Sequence, residues 1–189
     1  IATQGTNTMS IWSPSSGTDV GIVLQPLGTG FISANTPDGF DLGGNARGDY
    51  AVDFQMERSN PGEVASGDWA VISGGRQNTA SGSFNATIGG GFRNTASGSY
   101  ATISGGQDNT AGSQSTTVGG GNGNTASSSF ATVGGGRDNT ASGSYATVDG
   151  GFQNTAGGGF STIPGGYGLS AQSFGEFALG TFNDTLNGG

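Results

Sequence analysis

A fixed period of about fifteen residues constrains this chain more than anything else in it. Asn78, Asn94, Asn109, Asn124, Asn139 and Asn154 open successive copies of one phrase, spaced by 16 residues and then by 15 four times. Read from each Asn, the unit is N-T-A-S-G-S-(F/Y)-A-T-(V/I)-x-G-G-x-x. An earlier copy, Ala65 to Gly75, lacks the Asn and keeps the frame. A short fixed period is the signature of a solenoid, in which each unit stacks on its neighbours. Composition alone points the other way: 41 Gly, 31% hydrophobic and 10% charged residues suit a disordered chain. A disordered linker, however, has no reason to hold aromatic and Val/Ile positions in register.

One repeat predicts how the coil is built. Side chains alternate between the two faces of a strand, so in Ser99 to Ile103 the pair Tyr100 and Thr102 shares one face and Ala101 and Ile103 share the other. Two apolar columns result. The aromatic one is Trp69, Phe84, Tyr100, Phe130, Tyr145 and Phe160; the aliphatic one is Ile72, Ile88, Ile103, Val118, Val133, Val148 and Ile163. Both are expected to serve core or interchain packing. Fifteen residues at roughly 3.3 Å each make a coil of about 50 Å perimeter. Its own core then holds little beyond one Val/Ile and two Ala per rung. At about 25 cal/mol per Å² such a core hardly offsets the ordering entropy of a Gly-rich chain. The second column therefore calls for an identical chain as partner, or for a bend that turns both columns inward.

Other positions of the repeat carry their own expectations. The Gly pairs from Gly74-Gly75 to Gly165-Gly166 supply corners with φ > 0. The Asn column is predicted to form a side-chain amide ladder. Asn85, an extra residue between Phe84 and Ala86, reads as a bulge, and in the Asn109 unit Ser115 replaces the aromatic. The two residues before each Asn vary, which marks an outward ridge. From it Arg76, Gln77, Phe92, Arg93, Gln107, Asp108, Arg137, Asp138, Phe152, Gln153 and the later Tyr167 are the candidate receptor contacts.

The rest of the chain divides around this block. Residues 1–36 read as a β-rich shaft or shoulder, with candidate strands at Gly21 to Gln25 and Phe31 to Ala34. Residues 37–62 form a connector, where a short helical turn near Met56 would stop at Pro61. Residues 63–168 are the repeat solenoid, and 169–189 a degenerate terminal repeat leading to a further C-terminal region. A chain that opens on Ile1 rather than Met is expected to be a piece of a longer protein. The connector contains Arg47-Gly48-Asp49, a tripeptide that integrins read. The repeat frame aligns it with Ser66-Gly67-Asp68, so that Arg47 and Asp49 read as exposed variants of Ser.

Composition narrows the chemistry. His, Cys and Lys are absent, leaving five Arg against thirteen acids and a net charge of -8. Nucleic-acid binding needs a basic stripe and is not expected, nor is membrane insertion, since no apolar run approaches the ~20 residues of a span. Catalysis would fall to carboxylates alone, and the repeat acids Asp108, Asp138 and Asp149 are sporadic turn variants, so no enzyme activity is expected. Gly134 to Asp138 only hints at a Ca²⁺-binding β-roll, and its Asp does not recur; no metal or cofactor is expected. Two Thr columns, one running from Thr87 to Thr162 and one from Thr79 to Thr155, open an alternative: a monomeric ice-binding solenoid. The first column shares its face with the aromatics, which spoils a flat plane.

The phrases (F/Y)-A-T-(V/I)-x-G-G and N-T-A-S-G resemble the head repeats of trimeric autotransporter adhesins, and Ala171 to Gly180 is similar to their A-x-G-x-x-S-x-A-x-G phrase. Val23 to Gly30, Gly43 to Gly48 and Ala51 to Asp53 resemble bacteriophage tail-fibre proteins, which often carry such repeats ahead of a C-terminal chaperone absent from this chain. The resemblance implies an all-β, Gly-rich parallel β-solenoid or β-prism, assembled as an intertwined or side-by-side homotrimeric fibre. It implies a virion tail fibre, extracellular, that joins other tail proteins and attaches to a bacterial surface glycan or outer-membrane protein. The alternative placing is the head of a bacterial adhesin on its own cell surface.

Overall fold

The computed structural model describes residues 32–33, 44–55 and 57–180; the strands expected before residue 32, apart from the one at Ile32–Ser33, lie outside them. Among the described residues the chain is all-β, with sixteen two-residue strands and no helix, including at Glu57 to Pro61. All the pairing is parallel and in register. Nine strands, Ile32–Ser33, Val52–Asp53, Val71–Ile72, Thr87–Ile88, Thr102–Ile103, Thr117–Val118, Thr132–Val133, Thr147–Val148 and Thr162–Ile163, stack into one sheet. Seven more, from Thr79–Ala80 through Thr95–Ala96 to Ser170–Ala171, stack into a second. A third ladder of single bridges joins Glu57, Arg76, Phe92, Gln107, Asn122, Arg137, Phe152 and Tyr167. Each coil of about fifteen residues thus meets its neighbours along three lines, and the chain is a β-solenoid. The pairing runs past both ends of the 63–168 block, to Ile32 on one side and Phe177 on the other.

The strands are shorter than the alternation predicts, and the reason is local. Ala101 N–H donates to the Gly98 carbonyl at 3.1 Å, closing a turn in which Tyr100 takes φ 61°. The aromatic therefore stands on a corner, and only Thr102–Ile103 is strand. The same turn recurs at Trp69, Phe130, Tyr145 and Phe160, with φ between 53° and 62°. A left-handed conformation disfavours a residue with a Cβ by about 1–2 kcal/mol. The rung-to-rung bond from Tyr100 N–H to the Phe84 carbonyl, 2.8 Å, helps hold it. At the bulge, Asn85 occupies this left-handed place (φ 51°) and Phe84 steps back to bridge Asp68. The extra residue is absorbed in the corner and the ladders stay in register.

The inside of the coil closes within one chain. Ala80, Ala96, Ala111, Ala126, Ala141 and Ala156 line it from one sheet, and the Ile72 to Ile163 column faces them from the other. A second Ala column, Ala70, Ala86, Ala101, Ala131 and Ala146, completes the apolar core. Gly98 packs closely beside it: a Cβ there would stand 1.8 Å from the Ser113 carbonyl of the next rung unless the corner shifts, and the same place holds Ser113 and Ser128 in the next two rungs. Gly106 meets both demands at once: φ is 90°, and a Cβ would collide with Gly121 O and the Asn109 amide.

The fourth column of the core is polar. Asn78, Asn94, Asn109, Asn124, Asn139 and Asn154 are fully buried. Each Oδ1 accepts the backbone N–H of the residue one rung on, at 2.9–3.1 Å, ending with Leu169. Each Nδ2 donates to two glycine carbonyls, for Asn124 those of Gly120 and Gly136 at 2.8 and 2.9 Å. Burying an amide column costs nothing net when every donor and acceptor is met, and a great deal when one is not. Gln55 caps the lower end, its Oε1 accepting Asn78 N–H at 2.8 Å while Nε2 donates to Asn78 O. Leu169 takes the Asn place at the upper end.

Below Gln55 the first rungs differ. Asp53 stands where Ile72 stands one rung later, and is buried. Its Oδ2 accepts Arg47 Nε and Arg58 Nη2, both at 2.9 Å. Arg47 is therefore not the exposed variant of Ser that the frame predicts: its guanidinium is drawn inside because Asp53 replaces a hydrophobic residue there. Asp49 does stay exposed. The tripeptide Arg47-Gly48-Asp49 is thus split between core and surface.

Candidate functional site

Two lines of large side chains run along the outside. The first is the aromatic column. Tyr50, Trp69, Phe84, Tyr100, Phe130, Tyr145 and Phe160 are each about half exposed, between 43% and 54%, and Phe174 is 80% exposed. The aliphatic partners predicted with them, Ile72, Ile88, Ile103, Val118, Val133, Val148 and Ile163, are all in the core. The corner geometry explains the division, since the turn that points Ala101 inward must point Tyr100 outward.

The rings stack along the axis. Phe130 and Tyr145 lie 4.8 Å apart at 9°, Tyr145 and Phe160 4.7 Å apart at 6°. Lower down, Tyr50 stacks on Trp69 at 5.5 Å and Trp69 tilts against Phe84 at 6.0 Å. These spacings follow from the strand separation of about 4.8 Å and fall in the favourable range for aromatic pairs. At roughly 200 Å² per ring, half exposure leaves about 300 Å² of ring surface facing out in each run of three rings, the size of the largest apolar patch on an ordinary monomer.

The second line is the ridge predicted from the variable dipeptides. Arg76, Phe92, Gln107, Arg137, Phe152 and Tyr167 stand in the bridge ladder, while Gln77, Arg93, Asp108, Asp138 and Gln153 occupy the following left-handed corner. Two of its three rings, Phe92 and Phe152, are covered by cations. Arg76 and Arg93 lie over the Phe92 ring, 4.4 and 4.6 Å from its centroid, and Arg137 lies 4.0 Å over Phe152. Tyr167 stacks on Phe152 at 5.3 Å. The arginines are also matched by acids: Arg76 with Glu57 at 3.5 Å, Arg93 with Asp108 at 2.8 Å, Arg137 with Asp138 at 3.6 Å. Exposed pairs of this kind contribute only about 0–1 kcal/mol each. Their consequence lies in recognition: none of these three cations is without an acid beside it.

The third surface is the second of the two Thr columns read from the sequence. On the seven-stranded sheet Thr79, Thr95, Thr110, Thr125, Thr140 and Thr155 pair in register and face outward, with Ser81, Ser97, Ser127 and Ser142 exposed two residues on. No ring shares these positions. Among the described residues no group of three or more His, Cys, Asp or Glu is placed to hold a metal ion, and no helix is long and apolar enough to cross a membrane. The buried Asn ladder and the Arg47–Asp53–Arg58 cluster were not singled out as core by sequence reasoning. The strictest polar position of the repeat, the Asn, was the signal available for the first of them.

No protein-family model and no curated protein matches the chain.

Proposed function

We propose that this chain is a rigid shaft segment of a phage-type tail fibre, working in a homotrimer that leaves the aromatic ladder outward rather than packing it between chains, and attaching to a bacterial cell surface through that ladder. One observation carries the reading: the core is complete within one coil, yet a register of half-exposed stacked rings runs along the outside. Apolar patches of this size on folded chains are often functional. Stacked rings cover one another's faces and turn their edges outward, and the faces left free at the ends of each stack suit the C–H faces of sugars. A net charge of -8, with the exposed arginines matched by acids, favours a neutral hydroxylated partner over an anionic one. Three parallel shafts on a particle multiply weak contacts into avidity.

The test is binding of the labelled 189-residue chain to a panel of bacteria, before and after periodate oxidation of surface glycans. Attachment is expected to fall with oxidation, and to fall about tenfold when Tyr145 and Phe160 are both changed to Ser. Attachment that resists oxidation and yields to protease treatment of the cells points to an outer-membrane protein instead. Attachment indifferent to the ring substitutions makes the ladder a spacer surface.

A second reading, ice binding by the Thr face, is favoured by one specific observation: the Thr79 to Thr155 column is regular and free of rings. Inhibition of ice recrystallisation that is abolished by Thr125→Tyr would move it ahead.

A further inference from the structure

The aromatic ladder has one empty rung. Stacking runs from Tyr50 through Trp69 to Phe84, and again from Phe130 through Tyr145 and Phe160 to Phe174. Between Tyr100 and Phe130 the corner residue is Ser115, in the same left-handed conformation (φ 55°) as the rings beside it. Two rungs at about 4.8 Å set the Tyr100 and Phe130 corners roughly 9.5 Å apart, which leaves about 6 Å between facing rings.

The rung has been rebuilt rather than merely weakened. Ser113 stands where Gly98, Gly143 and Gly158 stand in other rungs and Ser128 in the next, and its Oγ donates to the Ser127 carbonyl at 2.8 Å. Thr116 replaces the core Ala, and its Oγ1 donates back to the Ser113 carbonyl at 2.7 Å. Both bonds brace the corner that lost its ring. The same rung carries Gln114, exposed, where the neighbouring rungs have Ser99 and Ser129. The loss of a ring and the gain of a long amide thus fall side by side.

We infer that the Tyr100–Phe130 gap is a binding slot for a single neutral pyranose of a surface glycan. This rests on the attachment reading above and assigns it a site. The slot asks for a ligand apolar on two opposite faces and hydroxylated round its rim. Tyr100 and Phe130 meet the faces; the Ser115 hydroxyl and the Gln114 amide, donor and acceptor together, meet the rim. A chair-form sugar, with C–H groups on both sides, fills the height at ordinary carbon contacts of about 3.5–4 Å. The side chains that bound the slot (Tyr100, Gln114, Ser115, Phe130) are uncharged, so the slot offers a carboxylated or phosphorylated sugar nothing. A single pyranose is expected to bind in roughly the millimolar range, which repetition along a fibre raises.

The experiment uses the whole 189-residue chain and a panel of neutral methyl pyranosides, read by saturation-transfer NMR and by chemical-shift changes of the Tyr100 and Phe130 rings. Wild type is expected to bind at least one of them. Ser115→Phe restores the column's ring on a backbone already in its conformation; it should leave the melting temperature unchanged or raised and weaken binding by at least about tenfold. Gln114→Ala should weaken it several-fold. Binding by Ser115→Phe equal to wild type, or no pyranoside bound while cells are still captured, overturns the slot and leaves the attachment reading standing. Pyranoside binding that Ser115→Phe abolishes, in a chain that captures no cells, upholds the slot and defeats the attachment reading.

Discussion

At the scale of single residues, the molecule depends on a polar side chain doing what apolar ones usually do. Asn124 fills a core position and satisfies three backbone groups of its own and the next rung: Gly120 O, Gly136 O and Asn139 N–H. Asn124→Ala leaves all three buried without that partner. We expect a loss of about 3 kcal/mol or more, measured by urea denaturation, with an unchanged loss on repeating the substitution at Asn139. Ser161 is the opposite case. It occupies the second Ala column, is fully buried, and its Oγ has no hydrogen-bond partner. Ser161→Ala restores the column residue and is expected to stabilise the fold by about 1 kcal/mol, read as a higher denaturation midpoint. Thr116, in the same column, does find a partner, its hydroxyl bonding the Ser113 carbonyl.

At the scale of the element, a coil is three short ladders separated by corners, and its tolerance is set by how closely neighbouring corners approach. A Cβ on Gly98 would lie 1.8 Å from a backbone carbonyl, so the corner must shift to admit it, at a place that already holds Ser113 and Ser128 in the next two rungs. Gly98→Ala is expected to cost about 1–3 kcal/mol and to make central amides exchange faster with solvent. Gly135 and Gly150 would meet nothing with an added Cβ, and Ala there should be nearly silent. The repeat made the coil period, the aliphatic column and the need for glycine corners legible, because each follows from spacing. The place of the aromatic ring was legible as a face but not as a corner. Strict alternation assumes an extended strand, and only the bond from Ala101 N–H to Gly98 O reveals that the strand has turned before Thr102.

At the scale of the whole molecule, the solenoid is a one-dimensional stack in which each rung contacts only its neighbours, so its ends should be its weakest parts. Toward the lower end of the described residues, Gln55 caps the Asn column and the buried Arg47–Asp53–Arg58 cluster fills the core. Removing one member of such a cluster leaves a charge uncompensated, and Asp53→Ala is expected to cost about 3–5 kcal/mol. Assembly is read by light scattering after size exclusion. The fibre reading expects a mass near three times 18.5 kDa. A folded monomer removes the trimer from that reading and leaves a single-chain shaft bearing one ladder.

What the sequence determined by itself is the all-β class and the coil: a period of about fifteen, held over six copies, admits parallel stacking in register and little else. It also determined which aliphatic residues point inward, since side-chain alternation is a local property. Tertiary structure alone decided what else is inside and what is left outside. Asn is a surface residue by type, and only the glycine carbonyls of two coils, brought around it by stacking, make its burial favourable. Phe and Tyr are core residues by type, and only the left-handed corner, held by hydrogen bonds between rungs, turns them out into a ladder with one empty place.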